Sequence, residues 1–387
     1  IMTLQELLSK LQEIQARLIL NLPKRLRPYF DALDLSARGL LVLGPRGVGK
    51  TTLALSRSKG MLYIPADNPL VAPFKLWDIC EAAFRAGYDG VIIDELHYAR
   101  EWAVHLKALY DAFPGKRIWA TDSSSALLES GVSDLSRRFV QIKVPLLSFR
   151  EFIAIKHDHL FPVIDPFNPD MPSVQGVINA INPLAAFGEY LRQGLRPFFL
   201  EGHYAERLKN VLDKMLFSDV PFWTPQIAEN HLRLMQAIVG HLAMSPIPVI
   251  SVESLTREWG VGKVKLYDLI EVMTRICLIR VIKRKGAASK RHLRGAKLFF
   301  YDPSTYYVLN GNPANVREAF VVCSFEEAGR KVFAADDERI CDFVVDDATL
   351  EVGGKSKSGK AADFVVRDGL DVPLPAVIPM WLLGMMY

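Results

Sequence analysis

Apolar residues follow two rhythms along the chain. Leu4, Leu7, Leu8, Leu11, Ile14 and Leu18 recur at helical spacing, predicting an amphipathic helix over 2–20. From residue 40 the pattern changes to short, continuous apolar runs. Leu40-Leu41-Val42-Leu43, the stretch 61–65, Val91-Ile92-Ile93, Ile118-Trp119-Ala120 and 140–144 each have the length of a buried strand. Between them lie helical stretches. One covers 74–86 and closes at Gly87; another carries Trp102, Leu106 and Leu109 and stops at Pro114-Gly115. Strands alternating with helices predict an α/β fold, a mostly parallel sheet with helices on both faces.

Beyond residue 160 the rhythm breaks. Prolines crowd 162–172, marking a boundary or lid-like loop. A stripe of Tyr204, Leu208, Val211, Leu212 and Met215 then predicts a helical connector to about residue 222. Leu234, Ile238 and Leu242 begin another pattern: Ser251 caps a helix over 252–259, Gly260-Val261-Gly262 turns, and a second helix covers 263–276. Two helices joined by a short glycine turn predict a helix-turn-helix. Strands at 277–282 and 297–301 flank a polar loop, as in the wing of a winged helix. A helix at 316–328 and strands at 331–334, 340–345, 350–352 and 362–367 form a last, small α+β unit. The resulting plan is an N-terminal helix (1–30), a nucleotide core (31–160), a helical connector or lid (161–231), a winged helix-turn-helix (232–310) and a terminal unit (311–387).

Composition changes this picture little. The 387 residues are 50% hydrophobic and 23% charged, an ordinary globular balance. A net charge of +4 is too mild to imply nucleic acid by itself. Cys80, Cys277, Cys323 and Cys341 form no C-x-x-C pair, so neither a zinc site nor a disulfide framework is indicated, and a reducing cytoplasm is expected. The first 20 residues interleave Leu with Gln, Glu, Lys and Arg, unlike a signal peptide. No run approaches 18 apolar residues, so no membrane span is expected.

The chemistry concentrates after the first buried run. Gly44-Pro45-Arg46-Gly47-Val48-Gly49-Lys50-Thr51-Thr52 fits G-x-x-x-x-G-K-[ST] between a strand and a helix. Its glycines let consecutive backbone N–H groups face phosphate oxygens, and the following helix adds its positive dipole end. Lys50 is placed to reach the β- and γ-phosphates and Thr51 to ligate Mg²⁺. About 40 residues on, the run 90–93 ends in Asp94 and Glu95. Asp94 is then a second Mg²⁺ ligand, and Glu95 a general base for the attacking water. The fourth run ends in Thr121, Asp122 and Ser123; Thr121 or Ser123 is placed to sense the γ-phosphate, the alternative being that the serines cap a helix over 126–128. Arg137 and Arg138 precede the fifth run, either as an arginine finger, in this chain or toward a neighbour, or as a solvated pair. No Asn-Lys-x-Asp, the guanine-reading element, occurs, which makes ATP the expected nucleotide.

Two later clusters carry further expectations. Arg280, Lys283, Arg284, Lys285, Lys290, Arg291, Arg294 and Lys297 lie in one stretch without an acid. Such a wing can contact DNA phosphates. The neighbouring helix carries Asp268 and Glu271 beside Lys263 and Lys265 and lacks a row of base-reading side chains, so a protein-docking module or a merely solvated loop is the alternative. In the terminal unit Glu318, Asp342, Glu351 and Lys355 follow one another in the order of the acidic cluster and lysine of metal-dependent nucleases. In those the lysine stands two residues after the Glu, where this chain has Gly353. A degenerate, non-cleaving domain is the preferred reading.

Taken with residues 44–51 and 91–97, the Thr121 to Ser125 cluster, Arg137-Arg138 and Pro145-Leu146-Leu147-Ser148-Phe149-Arg150-Glu151-Phe152, the chain resembles the prokaryotic, especially archaeal, AAA-type P-loop ATPases that end in the domain of unknown function DUF4143. Cys341-Asp342-Phe343-Val344-Val345, Glu351-Val352-Gly353-Gly354-Lys355 and Pro379-Met380-Trp381-Leu382-Leu383-Gly384 are similar to that domain's closing motifs. The resemblance implies ATP and Mg²⁺ at Lys50, Thr51, Asp94 and Glu95. It also places Cys341 where the family usually has an acidic residue, a second reason to expect no cleavage. An oligomer or protein partner fits the same picture.

Overall fold

The structure, a computed structural model, describes residues 2–123, 135–224, 227–245, 252–285, 296–356 and 361–387. It divides into two compact units, Ile1–Pro145 and Leu146–Tyr387.

The first unit runs α1 (Leu4–Leu20), β1 (Gly39–Leu43), α2 (Lys50–Ser56), β2 (Met61–Pro65), α3 (Leu76–Arg85), β3 (Gly90–Asp94), α4 (Trp102–Ala112), β4 (Arg117–Asp122) and β5 (Val140–Lys143). The sheet has the order β2-β3-β4-β1-β5, with every neighbouring pair parallel. Every residue of β1, β2 and β3 is buried, which is why those strands read as unbroken apolar runs: helices cover both faces. β4 lies between β1 and β3, so the end of β4 separates the loop after β1 from the carboxylates after β3. The edge strand β2 is closed by α1. Leu7, Leu8 and Leu11 bury its apolar face, and the Gln15 amide donates to the Met61 carbonyl (2.9 Å) and accepts from the Tyr63 N–H (3.0 Å). A single side chain thus occupies backbone groups that an open edge would present to another strand.

The second unit opens with α5 (Phe149–His157), α6 (Met171–Ala180), α7 (Pro183–Gln193), α8 (Tyr204–Lys214), α9 (Val220–Trp223) and α10 (Glu229–Met244). The stretch expected as a helical connector to about residue 222 contains a π-helical turn, Met215–Asp219, between α8 and α9; Pro221, near the start of α9, has no N–H to continue the ladder. Next come α11 (Val252–Trp259), α12 (Lys263–Arg275) and the antiparallel hairpin β6 (Ile279–Ile282) and β7 (Lys297–Phe300). The chain ends with α13 (Ser304–Val308), α14 (Pro313–Glu327), β8 (Val332–Ala334), β9 (Phe343–Val345), β10 (Ala348–Gly353), β11 (Phe364–Arg367) and β12 (Val377–Pro379). These five strands form a mixed sheet in the order β12-β11-β10-β9-β8.

Several expectations shift here. The break between units falls at residue 145, ahead of the proline-rich stretch. Residues 148–152 belong to the second unit because Phe149 and Phe152 are fully buried there, against Phe187, Tyr190 and Phe199. Ser148 caps α5 in a reciprocal box with Glu151. The closing segment packs on the same helix: a Cβ on Gly384 would lie 2.4 Å from that of Phe149. Two segments that carry the sequence resemblance are therefore each other's packing partners. Helix α14 starts at Pro313, because Asn312 accepts from the Ala314 N–H as its cap. Strand β12 was not legible, being three residues that end in Pro379. Ser251, the helix over 126–128, and Lys290, Arg291 and Arg294 lie outside the described residues.

The hairpin is not a freestanding wing. The Ala334 N–H donates to the Lys283 carbonyl (2.9 Å), and Arg284 bridges to Ala334, joining the end of β6 to β8.

Candidate active site

Residues 44–51 curl between β1 and α2 as the glycine spacing requires. Gly47 and Gly49 adopt left-handed φ of 75° and 97°, which glycine does at little cost. A Cβ on Gly44 would meet the Val144 carbonyl at 2.2 Å. From outside the motif, the buried Arg27 guanidinium donates to the carbonyls of Val48 (2.9 Å) and Pro145 (2.8 Å), tying the loop to the chain after β5. Arg27 carries no motif and was not legible in the sequence.

Lys50 is buried, and its ammonium donates to the Gly44 and Pro45 carbonyls at 2.7 and 2.9 Å. Burial pulls it below the usual lysine range, against the opposing pull of Glu95, Asp122 and Asp94. Asp94 is the hub. Its Oδ2 accepts from Thr51 Oγ1 (2.8 Å) and Tyr63 Oη (2.5 Å), and its Oδ1 from Thr121. A hydroxyl and a carboxylate side by side at the start of α2 are hard oxygen donors, which suit Mg²⁺. Among the described residues no group of three or more His, Cys, Asp or Glu side chains is arranged to hold a metal, and magnesium in phosphate sites is commonly held by one or two protein oxygens together with the phosphates.

Glu95 follows at φ 52°, a left-handed backbone that a non-glycine residue adopts rarely. Its Oε1 accepts from Arg46 Nη1 at 2.9 Å, and the Arg46 side chain is only 8% exposed. Burial raises Glu95 above the usual carboxylate range, while Arg46 and Lys50 work against that rise. Behind it, Asp122 Oδ2 accepts from the His97 backbone N–H (2.9 Å) and lies 2.8 Å from His97 Nδ1, itself 3.7 Å from Glu95 Oε2. Tyr63, His97 and Asp122 were not singled out from sequence. A positional signal was available for two of them, since Asp122 ends β4 and His97 lies just beyond β3; Tyr63, in the middle of β2, offered none.

Ser123 is buried, and its hydroxyl has no hydrogen-bond partner among the described residues. Arg137 and Arg138 stand at the other end of the strands. Val140 pairs with Leu40, so both arginines precede the start of β5, about 15–20 Å along the strand direction from the phosphate loop. Arg138 forms a two-pronged pair with Asp111 of α4, 2.8 Å on each prong. Both arginines thus stand apart from this chain's own phosphate loop, and Arg137 is exposed.

The terminal cluster also differs from expectation. Lys355 is exposed in the turn after β10. The lysine among the carboxylates is Lys297 of β7, with Nζ 3.0 Å from Glu318, 3.7 Å from Glu338 and 3.9 Å from Asp342. Burial disfavours its charge, but these acids prevail and hold it above the usual lysine range. Burial also raises Glu318, against Lys297. Asp342 Oδ2 accepts from the Val352 N–H (2.8 Å), and the Glu351 side chain next to Val352 is fully buried. At the other end of the hairpin Arg280 is buried between Glu326 and Glu327, with its guanidinium 3.6 Å from the centre of the Tyr301 ring, and Lys285 pairs with Asp347. Three of the eight wing cations thus face carboxylates of the terminal unit.

Residues 36–153 match the family model of an AAA domain. The uncharacterized protein MJ1637 of Methanocaldococcus jannaschii is 27% identical over 290 residues, or 67% of this chain; the match spans 60% of that relative's length. Looser likenesses among solved structures are the Walker-type ATPase PABY2304 of Pyrococcus abyssi (16% identity, 71% of this chain and 91% of that one, TM-score 0.42) and DnaA of Aquifex aeolicus bound to AMPPCP (13%, 71% and 89%, TM-score 0.25). At such scores they add nothing to the fold. No helix among the described residues is long and apolar enough to cross a membrane. The glycine loop, residues 44–51, and the carboxylates that end β3 both lie inside the matched stretch, so the similarity to an AAA domain covers residues 36–153.

Proposed function

We propose that the chain binds ATP with Mg²⁺ on residues 44–52 and hydrolyses it. Backbone N–H groups from Gly44, Arg46, Gly47, Val48 and Gly49 receive the phosphates, with Pro45 shaping the turn, Lys50 shifts from its carbonyls to the β- and γ-phosphates, and Thr52 continues the helix end. Thr51 and Asp94 hold the metal, which when bound neutralises charge developing on the phosphate oxygens. Glu95 takes the proton of the attacking water. Ser123, a buried hydroxyl with spare hydrogen-bonding capacity, senses the γ-phosphate, and Arg137 serves a neighbouring molecule. The observation that carries the reading is the Thr51–Asp94 contact, which joins the phosphate loop to the end of β3 through two metal-type oxygens. The test is nucleotide binding by the purified chain, compared with Lys50→Ala. Saturable ATP binding that the variant loses supports the reading; no binding at millimolar ATP with Mg²⁺ sinks it.

The same proposal assigns residues 232–310 to a winged helix-turn-helix and 311–387 to a nuclease-like domain of the DUF4143 kind, both repositioned by ATP hydrolysis. Arg280, Lys285 and Lys297 already face internal carboxylates, which favours a scaffold that docks protein over a wing that grips DNA. It also favours a terminal cluster that holds its own cation rather than a metal. Plasmid left intact under Mg²⁺ or Mn²⁺ is the expected result, and cleavage abolished by Asp342→Asn would reverse it.

A further inference from the structure

The phosphate loop contributes one long charged side chain besides Lys50, that of Arg46. Arg46 leaves its loop toward the end of β3 and donates to Glu95 Oε1 at 2.9 Å, with 8% of its side chain exposed. Its partner sits on a left-handed backbone, φ 52°, so the direction of the Glu95 side chain is set by a strained main chain at one end and by the guanidinium at the other. Glu95 Oε2 makes no hydrogen bond among the described residues. One oxygen is thus held and the other left for a further donor, the arrangement a base needs to accept a proton along a fixed direction. A loop arginine would ordinarily be assigned to phosphate, since its fork matches phosphate oxygens. Here the same donors are given to the carboxylate.

We propose that Arg46 is a positioning residue for water activation: it aims the Glu95 carboxylate and is not a principal phosphate ligand. The inference rests on the reading of Glu95 as the base. It separates two quantities that a phosphate ligand would move together. Misplacing a catalytic group by about an ångström costs on the order of 100-fold in rate, while affinity for a nucleotide held by the loop backbone and Lys50 is left nearly unchanged.

The experiment uses the full chain and two readouts, the Kd for Mg²⁺·ATP by calorimetry and steady-state kcat. Arg46→Met keeps the bulk and removes the charge; it is expected to lower kcat by roughly 100-fold with Kd changed less than about threefold. Arg46→Lys restores a cation and is expected to recover part of kcat, which a packing role would not predict. In the Glu95→Gln background Arg46→Met is expected to add no further loss, because the group it aims is already disabled. A Kd weakened as much as kcat, or an undiminished kcat, overturns the proposal while leaving Glu95 as the base. Full turnover in Glu95→Gln overturns the reading beneath it. Should turnover lie below detection in the parent chain, the coupling is read from stability instead. A double-mutant cycle on thermal unfolding with Arg46→Met and Glu95→Gln then has to give a non-zero interaction, and additivity overturns the pair.

Discussion

Two of the clusters in which cations meet buried carboxylates are used in opposite ways. After β3, Asp94 is surrounded by hydroxyls from Thr51, Tyr63 and Thr121, and the nearby ammonium of Lys50 donates to backbone carbonyls. In the terminal unit the ammonium of Lys297 lies directly on Glu318, with Glu338 and Asp342 close by. Hydroxyls leave a carboxylate its charge, so the first cluster keeps its attraction for a divalent ion. An ammonium in contact offsets part of that charge, so the second already carries a cation of its own. Residue types alone, acids with a lysine, do not separate these cases; the element that supplies the cation does.

The largest expected effect falls on the first cluster. Glu95→Gln removes the base and keeps the shape, and general-base catalysis contributes about 10²- to 10⁴-fold. We expect kcat to fall within that range while ATP stays bound, measured by turnover and nucleotide retention on the same preparation. A variant that still turns over at the parent rate would make this cluster as inert as the other.

The matching change in the terminal unit is expected to act on stability. Lys297→Met leaves Glu318 and Asp342 without their cation, and breaking one side of a buried pair costs about 3–5 kcal/mol. Chemical unfolding should show the loss, and Glu318→Gln in the same chain should return much of it, since the uncompensated charge is then gone. A pair worth nothing in both variants would mean that Lys297 is a bystander.

Much of this contrast was legible in part. Residues 44–51 and the Asp94-Glu95 step could be read because their chemistry is local: a turn, a helix start and a strand end lie in fixed order along the sequence. The terminal cluster could not, because its lysine comes from another element. Sequence order pointed to Lys355, four residues after Glu351, whereas Lys297 approaches from the hairpin, 21 residues before Glu318. Arg280 illustrates the same limit: a run of cations looks like a solvated wing until Glu326 and Glu327 are seen on α14. Helix boundaries were read to within a few residues where caps were present, and β12 was missed because three residues carry no periodicity.

A smaller effect, with its sign fixed, follows from Lys297 in alkali. The groups facing it are Glu318, Glu338 and Asp342, with the Phe343 ring beneath. Burial disfavours its charge, but the acids around it hold its folded pKa above the usual lysine range. A lysine that binds its proton more tightly when folded contributes stability that is fully present below the unfolded pKa and lost as pH rises through the folded one. Thermal midpoints should therefore fall above about pH 10.5, and more steeply in the parent chain than in Lys297→Met. Parallel curves would show that the ammonium gains nothing from the acids around it.

Tyr63→Phe is expected to do least. Its hydroxyl is one of three donors on Asp94, and a hydrogen bond to a charged group contributes about 1.5–3 kcal/mol net. Because Thr51 and Thr121 still hold the carboxylate, unfolding free energy should drop by about that amount, with kcat within roughly threefold of the parent. A loss of kcat beyond tenfold, about 1.4 kcal/mol, would mean that the three donors act as one network. The geometry of Asp94, beyond its charge, would then distinguish the cluster after β3 from the one that Lys297 occupies.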